Sequence, residues 1–140
     1  MSNMEGHGRL FNVVAAASGV GIKLKGATGV TFLTFLDAGT QTLTLTQTIA
    51  GASSINLAVI TKIYKGPGVG GTWTKVTQAA ANTFNLTTDA VNDSFTCFVG
   101  ADMLADGYDT VVGTVGSGIL IAIVHDLAIQ RTPPNLAASV

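Results

Sequence analysis

The chain has little charge. Lys, Arg, Asp and Glu together make up 11% of its 140 residues, less than half the roughly 25% usual in soluble domains. Glu5 is the one glutamate. The formal net charge is −1 and no basic run occurs, which argues against binding nucleic acid by phosphate neutralisation. The single cysteine, Cys97, cannot form an internal disulfide, and its place in the alternating run SFTCFV reads as a buried small hydrophobe. The start, MSNMEGHGRL, lacks the apolar core of a signal peptide. The longest apolar run, GILIAIV, falls far short of the roughly 20 residues that a membrane-spanning helix needs. The mean hydropathy of +0.48 therefore comes from Ala, Val, Ile and Leu in strands. It also points to surfaces that are covered in an assembly, because a free monomer normally keeps itself soluble with more charge.

Strong helix formers are scarce as well, whereas β-branched Val, Ile and Thr are plentiful, the composition of an all-β chain. Period-two runs separated by Gly, Asn and Asp turns predict strands over 10–16, 21–25, 30–36, 40–48, 55–64, 72–77, 83–87, 94–99, 110–115 and 118–129. Short helical patches are possible readings at 14–17 and 101–106, and a short helix or loop at 78–82. Strands at this spacing predict one antiparallel domain over 1–140, a β-sandwich or a jelly-roll-like barrel. Residues 1–8 and 132–140 read as extended terminal arms. The second arm is bounded by Pro133 and Pro134.

Residues 40–48 read TQTLTLTQT. Along a strand this pattern puts every threonine on one face and Gln41, Leu43, Leu45 and Gln47 on the other. Leu43 and Leu45 are expected in the core, with Thr42, Thr44 and Thr46 facing outward. A slip of one residue would bury hydroxyls and expose both leucines. An uncharged threonine row at a sheet edge would be an open template for pairing, so a neighbouring protein is expected to cover it. Threonine offers such a partner both methyl packing and a hydrogen-bonding hydroxyl. Thr42, Thr44 and Thr46 are thus candidate partner contacts, as are Arg9, Arg131, Pro133 and Pro134 at the arms. Thr-x-Thr rows also occur on ice-binding surfaces, but those repeat the motif on several flat rungs, and here it occurs once.

Catalytic chemistry finds little support. The loop from Gly66 to Gly71, GPGVGG, matches G-x-G-x-x-G, but TWTKVT after it alternates like a strand, whereas a dinucleotide site needs a helix there. Asp102, Asp106 and Asp109 lack the spacing of a calcium loop and read as a solvated turn. Ser117 lies in GSG without a nucleophile elbow, and His125 reads as a packed or hydrogen-bonded residue. No nucleophile–base set, cofactor or metal site is predicted, and the expectation is a non-enzyme. Trp73, Tyr64 and Tyr108 are candidates for a sugar site, with core packing as the plainer reading.

The carboxyl-terminal third carries a resemblance. ADMLADGYDTVVGTV followed by GILIAIVHDLAIQRTPPNL, together with IYKGPGVGGTWTKVT upstream, resembles the head-decoration (minor capsid) proteins of tailed bacteriophages over about residues 55–136. The resemblance implies a virion structural protein on the exterior of the phage head, made in the host cytoplasm. It would bind the major capsid protein, stabilise contacts between capsomers and form a homo-oligomer, with a trimer as first expectation and a dimer as second. It implies no catalysis, cofactor, nucleic acid or membrane. Two alternatives remain at this point: a phage tail structural protein, and a carbohydrate-binding or adhesin-like β-sandwich module.

Overall fold

The computed structural model describes residues 12–126, apart from 17, 18, 38, 50–52, 68–70, 90 and 91. Arg9, Arg131, Pro133, Pro134 and both predicted arms lie outside the described residues. The strands are β1 (Val13–Ala15), β2 (Gly21–Lys23), β3 (Gly29–Phe35), β4 (Thr40–Thr48), β5 (Ile55–Asn56), β6 (Ile60–Gly66), β7 (Thr74–Ala81), β8 (Thr83–Thr87), β9 (Ser94–Gly100), β10 (Thr110–Thr114) and β11 (Ile119–His125). They form two antiparallel sheets. The first has the order β1-β11-β3-β9-β6-β7, and the second β2-β10-β4-β5 with β8 also on β4. The all-β, single-domain expectation holds. The sheets pack as a sandwich and do not close into a barrel.

Alternation decides what goes between the sheets. Val30 and Phe32 on β3, Cys97 and Val99 on β9, and Ala122 and Val124 on β11 point inward from the first sheet. Leu43, Leu45, Leu86, Ile22 and Val111 meet them from the second, and all of these are buried. Full burial of such a side chain contributes roughly 1.5–3 kcal/mol. At Gly113 the two sheets come so close that a Cβ would stand 2.9 Å from the Phe32 ring.

Three sequence expectations need correction. The predicted strand over 55–64 is two strands, β5 and β6. The chain crosses between sheets at 57–59, burying Leu57. The register then slips between Ile60 and Lys62, so that Ile60 and Ile63, three residues apart, both face the core. Residues 78–82 form neither helix nor loop, because β7 extends through them to Ala81 and resumes as β8 after Asn82. Gln78 fixes this seam: its Nε2 donates to the carbonyls of Ile60 (3.1 Å) and Thr83 (2.8 Å). Within the possible helical patch over 14–17, Val14 and Ala15 belong to β1, which pairs with β11 from Val13↔Ile123 to Ala15↔Ile121. Tertiary pairing there overrides local alanine content. The patch over 101–106, by contrast, holds the one turn that it could form, a 3-10 turn at Ala101–Met103.

Candidate functional site

The threonine strand is β4, with the bounds and faces that its pattern predicts. Leu43 and Leu45 are 2% and 0% exposed. Thr40 and Thr42 are exposed, and Thr44, Thr46 and Thr48 half-buried. Gln47 is buried, and its Oε1 accepts a hydrogen bond from the Ala105 amide at 2.7 Å. β4 is not an edge strand. β10 pairs with one side of β4, while β8 and β5 share the other. The threonines therefore form part of a sheet face, not an open ladder.

That face is broader than the sequence motif. The register sets Thr87 beside Thr40, Asn85 beside Thr42, and Thr83 and Thr114 on either side of Thr44. Thr42 Oγ1 donates to Asn85 Oδ1 (3.0 Å), and Thr40 Oγ1 donates to Thr87 Oγ1 (3.4 Å). The alternation T-x-N-x-T in β8 was the available signal for these added residues. Its alignment with β4 was not readable, because β4 and β8 are far apart in sequence. The result is a neutral surface of methyls and hydroxyls that makes weak cross-strand contacts with itself.

The outward face of the first sheet has a different chemistry. One row across it is Val13, Ile123, Thr31 and Phe98, and the next is Ala15, Ile121, Leu33, Thr96 and Tyr64. Ile119 and Phe35 begin the row beyond. Two glycines make room for rings on this face. A Cβ at Gly29 would stand 2.8 Å from Phe98, and one at Gly66 2.8 Å from Trp73. Trp73 and Tyr64 thus share a face, as the sugar-site reading required. Tyr108 does not join them, because it precedes β10 in the other sheet.

The residues weighed for catalysis are not gathered. His125 Nε2 is 2.7 Å from Thr31 Oγ1, and its ring is tilted against Phe98 at 5.9 Å between centroids. Asp126 accepts instead from Thr28 Oγ1 at 3.0 Å. Ser117 donates to Asp37 at 3.3 Å, near the opposite end of β3 from His125, about 20 Å away at strand spacing. Among the described residues no three His, Cys, Asp or Glu side chains converge on a common metal position. The Gly66–Gly71 loop leads into β7, so no helix amino terminus follows it. A cleft of about 200 Å³ between the sheets is lined by Ile63, Lys65, Val76, Phe84, Asn85, Thr87 and Phe95. It is smaller than the roughly 300–1,000 Å³ of ordinary ligand sites. Burial pushes the Cys97 thiol up to about 12, as befits a packing residue rather than a nucleophile.

No protein-family model, curated protein or solved structure matches the chain. Its two outward faces are therefore read from their own chemistry.

Proposed function

We propose that this is a non-enzymatic virion structural protein that binds the outer surface of a phage capsid and stabilises contacts between capsomers. The observation that carries the reading is the threonine face of the second sheet. Its β4 and β8 positions are uncharged, spread over paired strands and rich in both methyls and hydroxyls. Such a surface suits a large protein partner met by close packing with dispersed hydrogen bonds. The resemblance of the carboxyl-terminal third to head-decoration proteins supplies the kind of partner. A homo-oligomer on the head exterior fits the same reading.

The test is electron microscopy of the native particle, with antibody against this chain as the label. Label on the head exterior supports the proposal, and Thr44→Lys should lower occupancy there while leaving the protein folded. Label confined to the tail would favour the tail structural alternative. The shared face of Trp73 and Tyr64, 44% and 39% exposed, favours glycan binding as a second reading. Saturable binding on a glycan array, lost in Trp73→Ala, would establish that reading in place of the first.

A further inference from the structure

We infer that the outward face of the first sheet is a self-association surface that packs against the same face of a second copy of this chain. The first observation is area. Phe98 is 51% exposed, Trp73 44%, Tyr64 39%, Phe35 36%, Val13 38% and Ile119 61%. With buried areas of about 150–250 Å² for an aromatic side chain, these six leave roughly 500 Å² of apolar surface open. That is at the upper end of the roughly 300–600 Å² found for the largest patch on a monomer. With the adjoining Leu33, Ile121, Ile123, Thr31 and Thr96 it approaches the roughly 800 Å² per partner of a standard interface.

The second observation is charge. The strand positions of β1, β11, β3 and β9 on this face carry no Asp, Glu, Lys or Arg, and His125 stands at its end. Lys62 on β6 and Lys75 on the edge strand β7 lie at the far end of this face from β1, with Lys75 directly beside Tyr64. A two-fold pairing centred on β3 and β11 therefore brings no like charges together, and it leaves both lysines at the rim. A net charge of −1 adds little repulsion between copies. Sheet faces pack on one another about 10 Å apart, so the pairing repeats the layering already present inside the sandwich. The β11 sequence ILIAIVH has the signature of such a strand. Leu120, Ala122 and Val124 fill the core, and Ile119, Ile121 and Ile123 give the opposite face an equal apolar stripe.

This inference stands apart from the capsid reading, since it concerns the free protein. Sedimentation velocity of the full chain over a wide dilution range should show a dimer or larger species that dissociates on dilution. Phe98→Glu with Ile119→Glu should shift it to monomer with an unchanged circular dichroism spectrum, whereas Thr42→Lys with Thr44→Lys on the other sheet should leave association intact. A second measurement needs no substitution: hydroxyl-radical footprinting of the wild type should show Phe98, Phe35 and Trp73 becoming protected as concentration rises. A wild type that stays monomeric at the highest concentration would overturn the inference. So would association that survives the Phe98/Ile119 variant or footprints that do not change, and if that variant fails to fold, the footprints decide.

Discussion

The ring of Phe32 occupies the space that a side chain at Gly113 would need. A Cβ at Gly113 would lie 2.9 Å from Cε1 and 3.1 Å from Cδ1 of a ring that is itself 1% exposed. Gly113→Ala is therefore expected to cost about 1–3 kcal/mol, as overpacking does, with Gly113→Val costing more. Denaturant unfolding measures this. Combined with Phe32→Leu, the loss from Gly113→Ala should be less than additive, since the two changes share one space.

Leu45 and Thr44 are adjacent in sequence and point to opposite sides of β4. Leu45→Ala should destabilise by about 2–5 kcal/mol. Thr44→Lys should change folding stability by less than about 0.5 kcal/mol. Thermal or denaturant melts of the two variants check this. A silent Leu45→Ala with an unfolded Thr44→Lys would reverse the assignment of faces.

The Gln78 amide faces two carbonyl acceptors. Gln78→Ala should lose about 1–2 kcal/mol, the net value of its two hydrogen bonds. Gln78→Glu should lose more at neutral pH, because a carboxylate has no proton to give and would face two carbonyl oxygens. Its deficit relative to Gln78→Ala should shrink in acid, where the protonated carboxyl can donate once. Stability curves at neutral and acidic pH test the sign.

Cys97 sets an alkaline limit. Its thiol is raised from 9.0 to about 12 by burial, so above pH 9 the unfolded chain releases this proton and the folded chain retains it. The stabilising contribution is complete below 9 and is lost between 9 and 12, at up to about 1.4 kcal/mol per pH unit. Cys97→Ala should flatten that part of the stability profile, and the difference between the two profiles isolates the thiol from lysine and tyrosine titrations. In native protein at pH 8 a thiol reagent should react far more slowly than after unfolding.

Much of the fold was legible because it rests on alternation. β4 matches its predicted bounds, and the inward and outward sets of β3, β9 and β11 follow period two. Residues 78–82 misled because QAAAN has helix-compatible alanines, while the tie from Gln78 to Ile60 and Thr83 is tertiary. The break in 55–64 hid for a related reason: Leu57, Ala58 and Val59 include no turn residue to mark the crossing, and the register shift after Ile60 is set by pairing with β7. The surfaces were the least legible part. Thr42, Thr44 and Thr46 were readable as a row, but their neighbours Thr83, Asn85 and Thr114 arrive through non-consecutive pairing. The aromatic face likewise needs the order β1-β11-β3-β9-β6, which brings Val13 beside Ile123 and Leu33 beside Thr96.

Two of the connections between the sheets, at 57–59 and Asn82, also bear on how the sandwich exchanges with solvent. Both lie on the side where β5 and β8 of one layer adjoin β6 and β7 of the other. The Leu45 amide is tethered there to the Asn82 carbonyl at 2.8 Å, and the Leu57 amide to the Leu45 carbonyl at 3.2 Å. β1 and β2 at the opposite margin are three-residue strands, each paired along one side only. Amide protons of β1 and β2 should therefore exchange well before those of Leu45 and Leu57, so that solvent exchange reads out the length and pairing of each strand.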